Sequence, residues 1–416
     1  MRQPRRDALA ALVAAATAMA LPAWAHASSA AATSRSAPKR QGRSQRPLAT
    51  SAAFDAQGRL WVACVEHAPA PGNAGAVSNI TLAWTADDGR SWSPAQRVLR
   101  TPEPVEANGE GRPKLAFGPA GQVYVTFTRP SAKPHTGDIR FVRAGAAGTD
   151  WSDPITVQRD RTVTGHRFDS LIVDRNGRIF VAWIDKRDGD RARATGLAYR
   201  GAAIYYAVSS DDGRSFAVEA KLADHCCECC RIALSLNEEG EVVAMWRHIF
   251  DPNVRDHALA VLHAGGKPGA LKRASFDDWR IDACPHHGPS LDFDATGRRH
   301  QVWFSAGDDG GVFYAAAPGG TPGSPVRLGS AQAGHGEVLA AGSTIAAAWK
   351  DFDGQATRVL SRHSTDGGAT WHERVLASTS GNSDHPHLVR RGHDIIRLVW
   401  HTENEAIVVR RIEGQS

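Results

Sequence analysis

The amino-acid sequence predicts an all-β fold, a β-propeller built from four-stranded blades. Three observations lead to this prediction. A hairpin pattern recurs seven times, its copies are spaced from the mid-forties to the low sixties of residues, and an aspartate-containing turn follows three of the hairpins. This spacing is the length of one four-stranded propeller blade. Seven hairpins therefore indicate seven blades in a single domain.

Each hairpin consists of an apolar run, a turn with glycine and an alternating strand that ends in a large residue. In the first five copies the glycine lies six positions before that last residue. Glycine adopts the positive φ of a tight turn without steric cost, and the alternation is typical of a half-buried strand. The copies span residues 48–64, 113–127, 168–183, 231–246, 289–303, 337–349 and 387–400. Their last residues, predicted to be equivalent core positions, are Cys64, Phe127, Trp183, Trp246, Trp303, Trp349 and Trp400.

The aspartate-containing turns follow the pattern S/T-x-D-x-G-x-S/T-aromatic at 85–92, 209–216 and 364–371. Aspartate accepts bonds from the amides of its own turn, and glycine occupies the left-handed position. The pattern resembles the Asp-box, or BNR, motif of the sialidase superfamily, and the resemblance covers nearly the whole chain after Arg46. It implies that the motif joins the two outer strands of a blade and has a structural role. It gives a fold and not an activity.

The resemblance also bears on the number of blades, because six is usual in the sialidase superfamily. Six blades are therefore the alternative to the seven that the repeat predicts. After Trp400 one more strand is expected, at about 405–412. The ring then closes if residues near 30–46 supply the missing strand of the last blade.

The N-terminus has the features of an export signal. Arg2, Arg5 and Arg6 precede an apolar stretch at about 8–23, and Ala23-Trp24-Ala25 supplies a cleavage pattern. We predict a signal peptide at 1–25 that directs export by the general secretory or the twin-arginine pathway. The protein is therefore expected to be periplasmic or secreted. Residues 26–46 are expected to be a flexible basic leader, and 47–416 the propeller. No later segment approaches the ~20 apolar residues of a spanning helix, so no integral membrane segment is expected after cleavage.

The net charge of +5 and the isoelectric point near 9.0 do not indicate a nucleic-acid partner. Much of the excess positive charge lies in the basic leader, and the rest of the chain has no basic stripe or nucleic-acid motif. The expected partner is a small ligand or a metal ion, and the sequence identifies no protein partner.

Polar residues stand just before or at the start of several hairpins. Propeller hairpins all begin near the central axis, so these residues are expected to converge on one face, where propellers bind ligands. Candidate ligand-binding residues are Arg112, His166, Arg167, Asp169, Arg231, His335, Glu337, His385 and His387.

Five of the six cysteines belong to the same set of positions, whereas Cys64 is expected in the core of the first blade. Disulfides are one interpretation, because the protein is expected in an oxidising compartment. A soft-metal site is the second, since thiolate and imidazole suit copper(I) or zinc, and a redox thiol is the third. Candidate metal ligands are His225, Cys226, Cys227, Cys229, Cys230, Cys284, His286 and His287.

The cysteine segments 226–231 and 284–289 also resemble those of a group of exported bacterial BNR proteins. This resemblance implies a subgroup and no activity. The leading hypothesis is an exported propeller that binds a ligand, a soft transition metal such as copper or zinc, at its Cys/His-lined axial face.

Two other functions remain open. An exo-sialidase would need a carboxylate-binding arginine, for which Arg46 and Arg112 are candidates, and a late tyrosine nucleophile. The last tyrosine is Tyr314, too early in the chain for that role. The third hypothesis is a protein-interaction scaffold with structural disulfides.

Overall fold

The protein is described by a computed structural model that covers residues 47–68, 77–307, 310–320, 322–393 and 395–412. Within these residues the fold is seven antiparallel sheets, each formed by strands that are consecutive in the chain. This arrangement confirms the predicted propeller and its seven blades. One short helix, α1 (Arg187–Ala194), connects two strands of the third blade.

Each blade follows the same up-and-down order. Blade 1 contains Ser51–Phe54 (β1), Leu60–Ala68 (β2), Val77–Thr85 (β3) and Gln96–Arg97 (β4). Blade 2 contains Lys114–Phe117 (β5), Val123–Pro130 (β6), Gly137–Ala144 (β7) and Ile155–Thr156 (β8). Blade 3 contains His166–Val173 (β9), Ile179–Asp185 (β10), Ala202–Ser209 (β11) and Ala220–Cys226 (β12). Blade 4 contains Ala233–Leu236 (β13), Val242–Arg247 (β14), His257–Leu262 (β15) and Lys272–Arg273 (β16).

The last three blades complete the ring. Blade 5 contains Ser290–Phe293 (β17), Arg299–Ser305 (β18), Gly311–Ala317 (β19) and Val326–Leu328 (β20), with a 3₁₀ turn at Pro318–Gly320. Blade 6 contains Gly334–Ala341 (β21), Thr344–Phe352 (β22), Thr357–Ser364 (β23) and His372–Thr379 (β24). Blade 7 contains His387–Arg391 (β25), Ile395–Thr402 (β26) and Ala406–Arg411 (β27).

The first strand of every blade faces the central axis. Each of these strands contacts the first strands of the two neighbouring blades, and β1 contacts both β5 and β25, so the ring is closed. The seventh sheet has three strands among the described residues, and β27 is the strand that the sequence predicted after Trp400. The strand expected from residues near 30–46, the signal peptide, the basic leader and the candidate Arg46 lie outside the described residues.

The repeated large residues are core positions, as predicted. Six of them lie on the second strand of blades 2–7 and are at most 2% exposed: Phe127, Trp183, Trp246, Trp303, Trp349 and Trp400. They pack between blades. Trp349 of blade 6, for example, shares a cluster with Val302 and Val312 of blade 5. Cys64 occupies the same position in blade 1 and is half-buried.

The three aspartate-containing turns connect the third and fourth strands of blades 1, 3 and 6. In the second of them, Asp211 accepts hydrogen bonds from the amide and the hydroxyl of Ser215, at 3.0 and 2.7 Å. The hydroxyl of Ser209 accepts the amide of Gly213 at 2.9 Å and donates to Asp211 at 2.8 Å. These turns lie on the outer strands, away from the axis.

Among the described residues, no helix is both long and apolar enough to cross a membrane.

Candidate functional site

Segments from six of the seven blades meet around one cavity of about 570 Å³ on the axial face. One segment of each of these blades leads into, or begins, its first strand, which is why residues far apart in sequence come together. His135 and Lys186 come from the connections that follow the second strands of blades 2 and 3. The titratable residues that line the cavity include Glu110, Arg167, Cys229, Cys284, His286, His335 and His385. Four lining residues other than glycine have a positive φ: His135 at 60°, Phe168 at 56°, His286 at 55° and His335 at 54°. Such backbone strain is concentrated at functional sites.

Three thiols form the first group of donors at this cavity. Cys227 and Cys229 lie in the turn between β12 and β13, and Cys284 lies in the next connection between blades, from β16 to β17. Their sulfur atoms all lie within 4.8 Å of one another. Cys227 and Cys229 are buried, whereas Cys284 is exposed. The Cys227 and Cys229 sulfurs are 3.7 Å apart, beyond the ~2.05 Å of a disulfide.

The thiols differ in pKa because they are hydrogen-bonded to one another. Neighbouring thiols donate to the sulfur of Cys227 and hold its pKa well below the usual value, and the buried charge of Arg247 acts in the same direction. The same contacts raise the pKa of Cys229. Cys230, whose sulfur is 3.6 Å from that of Cys227, likewise has a raised pKa. The arrangement therefore favours one thiolate surrounded by thiols.

A carboxylate and two imidazoles form the second group of donors, namely Glu110, His335 and His385. The Nδ1 atoms of His335 and His385 lie 3.8 and 3.4 Å from Oε1 of Glu110. The two rings stack, with 3.5 Å between their centroids and 18° between their planes. Burial lowers the pKa of His335 to about 3 and that of His385 to about 4. Both imidazoles are consequently neutral at physiological pH.

Buried ion pairs adjoin these donors. Arg231 donates to Glu110 at 3.0 Å and to the carbonyl of Gly336 at 2.8 Å. Arg112 donates to the carbonyl of Thr50 at 3.0 Å and to Glu337 at 3.2 Å. Arg112 and Arg231 are 3% and 6% exposed. Both guanidinium groups are thus engaged by groups of the protein itself.

Two further ion pairs stand beside the cavity. Arg167 makes a two-pronged contact with Glu106, whose Oε2 accepts Nε at 2.8 Å. Lys186, which follows β10, pairs with Glu228 of the cysteine-rich turn. The cations at the cavity are therefore balanced by carboxylates, and the cavity has no large excess of positive charge.

Several predicted residues lie outside these two groups. The ring of His225 packs against that of Tyr199 at a tilt of 48°, and its Nδ1 lies 3.2 Å from the carbonyl of Arg200. Cys226 is buried in the hydrophobic core, and burial raises its pKa. His166 is buried with Nδ1 3.0 Å from the carbonyl of Gly137, and Asp169 accepts from the Thr126 hydroxyl at 2.5 Å.

Two further predicted histidines contact residues at or next to the second group of donors. His287 stacks between Phe304 and His335, with centroid distances of 4.0 and 4.2 Å. His387 contacts Glu337, with Nδ1 3.1 Å from Oε2. His286 is an exposed residue of the cavity lining. The prediction that these positions bind a metal or ligand stays a prediction.

Glu110 is central to the second group and is not among the site residues that the sequence predicted. Glu110 is 3% exposed and lies two residues before Arg112, in a glycine-rich segment that leads into β5. Its position beside the predicted site residue Arg112, just before an inner strand, is the sequence feature from which its role could have been predicted.

No protein-family model matches the chain, and no curated protein matches it either. Among solved structures it is similar to an ulvan lyase of polysaccharide lyase family PL25, with a TM-score of 0.52 and 11% identity over 88% of this chain and 91% of that one. A Hadza microbial sialidase matches with a TM-score of 0.51 and 14% identity over 88% of this chain and 65% of that one. The chain has a sialidase-like propeller fold. At these identities the likeness concerns the fold alone.

The tyrosines of this sialidase-like propeller lie away from the cavity. All five are described residues, and none belongs to the cavity lining. The hydroxyl of Tyr314 lies 2.8 Å from Nδ1 of His300 in a buried cluster. Those of Tyr205 and Tyr206 donate to Asp188 and to the carbonyl of His263, at 2.8 and 3.0 Å.

Proposed function

We propose that this propeller is an exported metal-binding protein that holds a soft transition-metal ion, copper(I) or zinc, at Cys227, Cys229 and Cys284. The observation that carries the proposal is the mutual proximity of three sulfur atoms from two separate connections. Thiolate donors select copper(I) and zinc over harder cations.

The distances between the sulfurs suit a common ion. A zinc–sulfur bond of about 2.3 Å places the sulfurs of a tetrahedral site about 3.8 Å apart. The sulfur of Cys227 lies 3.7 Å from that of Cys229 and 3.6 Å from that of Cys230. Small side-chain adjustments are therefore enough to bring these donors around one ion, with Cys230 as a candidate fourth ligand.

The surroundings also favour the charged, metal-binding form of one thiol, that of Cys227. Cys227 is already the most acidic of the group, so one ligand is ionised at little cost. Cys229 and Cys284 line the cavity, which gives an ion a path to the buried sulfurs. At about 570 Å³ the cavity can also admit a small ligand beside the metal.

Metal titration of the reduced protein tests the proposal. The propeller is purified without oxygen, and copper(I) is supplied from a chromophoric chelator that competes for the ion. Cys229→Ser should lower the affinity at least tenfold, because it removes one of three thiolate donors. Cys226→Ala is the matched control, since its sulfur is in the core beside the same turn and outside the group of three. Equal affinity in Cys229→Ser and Cys226→Ala would contradict the proposal.

Export is part of the proposed function and rests on the N-terminal sequence. Cell fractionation of the full chain is expected to place it outside the cytoplasm, without the first 25 residues. A chain in which Arg5 and Arg6 are replaced by lysine separates the two routes, because the twin-arginine route requires the arginine pair. A full-length chain retained in the cytoplasm would contradict this part of the proposal.

A further inference from the structure

We infer that Glu110, His335 and His385 form a second metal site in the same cavity, with chemistry different from that of the thiols. Its donors are two imidazole nitrogens and a carboxylate oxygen, which suit borderline divalent cations such as Zn²⁺ or Co²⁺ rather than copper(I). The inference uses residues that the proposed thiolate site does not use, so either one can fail without the other.

Three donors from three different blades converge at this place. Glu110 precedes β5, His335 lies in β21 and His385 precedes β25, yet one ligand atom of each lies within 4.8 Å of the others. The Nδ1 atoms of both histidines are buried and make no hydrogen bond. Buried polar atoms without a partner are rare in proteins, and an ion bound between them supplies what they lack.

The carboxylate of Glu110 is held in position by other parts of the fold. The amides of Arg231 and Gly288 donate to Oε2 of Glu110 at 2.7 and 3.2 Å. These bonds orient the carboxylate while Oε1 faces the two imidazoles. Contacts that orient a ligand in this way are a regular feature of metal sites.

The histidines are fixed by close packing. A β-carbon at Gly109 would lie 2.3 Å from the His385 ring, so only glycine permits the ring to sit where it does. His335 is held by stacking between His287 and His385, and its backbone adopts a left-handed φ of 54°. The left-handed backbone of His335 and the close contact of His385 with Gly109 therefore fix the positions of the two imidazole rings.

The charges permit a divalent ion at this place. Glu110 offsets the charge of Arg231, and Glu337 offsets that of Arg112, so the buried ion pairs are close to neutral. The cation therefore meets two imidazole nitrogens and the carboxylate of Glu110, whose Oε1 also accepts from Nη1 of Arg231 at 3.0 Å.

Equilibrium dialysis against Co²⁺ tests the inference, with a variant that weakens the thiol site. Cys284→Ser replaces an exposed residue and should fold normally. We expect this variant to keep one equivalent of Co²⁺ whose spectrum shows the bands of nitrogen and oxygen ligation. Adding His385→Ala should weaken that binding at least tenfold, and adding Gly109→Ala should weaken it because the new methyl group displaces the ring.

The control is His263→Ala in the same background, because His263 is half-exposed and lies outside the cavity lining. It should bind Co²⁺ as Cys284→Ser does. Thermal unfolding of every variant shows whether the propeller is intact. The inference is overturned if folded Cys284→Ser binds no Co²⁺, or if folded His385→Ala binds it as tightly as His263→Ala. Absence of copper(I) binding in the parent protein, with Co²⁺ binding retained, would count against the thiolate proposal alone.

Discussion

The guanidinium of Arg112 lies 3.2 Å from the carboxylate of Glu337, although 225 residues separate the two in the chain. Glu337 also accepts the amide of Leu388 at 2.7 Å and contacts His387. One buried carboxylate thus connects blades 2, 6 and 7 next to the cavity. It belongs to the structure that supports the site.

The ion pair predicts a pH-dependent stability. Burial by itself would raise the pKa of Glu337, but the charges of His387 and Arg112 hold it at about 2, below the usual 4.5. Its contribution of about 3 kcal/mol is therefore present above pH 4.5 and is lost as the pH falls towards 2. Denaturant unfolding should show Glu337→Gln to be less stable than the parent at pH 7, with a smaller difference at pH 3. Glu239→Gln, on an exposed turn, should change the free energy of unfolding by less than about 0.5 kcal/mol at both pH values.

The tryptophans between blades predict large losses on truncation. Trp349 is fully buried in the cluster between blades 5 and 6, so Trp349→Ala should lower the free energy of unfolding by about 3–5 kcal/mol. Phe352 lies on the same strand and is 46% exposed. Phe352→Ala should therefore cost less than 1 kcal/mol by the same measurement. Similar losses in both variants would contradict the assigned burial.

The aspartate-containing turns should affect stability and leave metal binding unchanged. Asp211→Ala removes acceptors for three hydrogen bonds, from Ser209 and Ser215, and should lower the free energy of unfolding by about 1–2 kcal/mol. Asp212→Asn is the control, because asparagine tolerates the left-handed φ of 57° at that position. Copper(I) titration should give the same affinity for both variants. A change in affinity would show that the outer turn is coupled to the cavity.

Bound metal should protect the clustered thiols from oxidation. Thiolates that coordinate an ion are unavailable for disulfide formation, whereas those of the metal-depleted protein are close enough to pair after modest movement. Thiol counting after exposure to oxidised glutathione should therefore find more reduced cysteines in the copper-loaded protein than in the chelator-treated one. Identical counts, with the clustered cysteines oxidised in both samples, would favour the structural disulfides.

The sequence predicted those features of the fold that depend on local pattern. Glycine six residues before a large apolar residue requires only a hairpin turn and a buried strand, and both are properties of neighbouring residues. The number of these hairpins predicted seven blades, and their last residues predicted the core positions from Phe127 to Trp400. The last strand, Ala406–Arg411, was likewise expected from the length of the repeat.

Only the tertiary structure decided which polar residues meet at the axis. His225 and Cys226 stand in the same cysteine-rich run as Cys227 and Cys229, yet they turn away from the group of three sulfurs. Glu110 was assigned no role from the sequence, yet its carboxylate lies beside two stacked histidines from other blades. The reason is physical: a hairpin is fixed by contacts a few residues apart, whereas a site at the axis depends on the closure of the whole ring. The sequence by itself determined the blades, and their closure determined the chemistry at the centre.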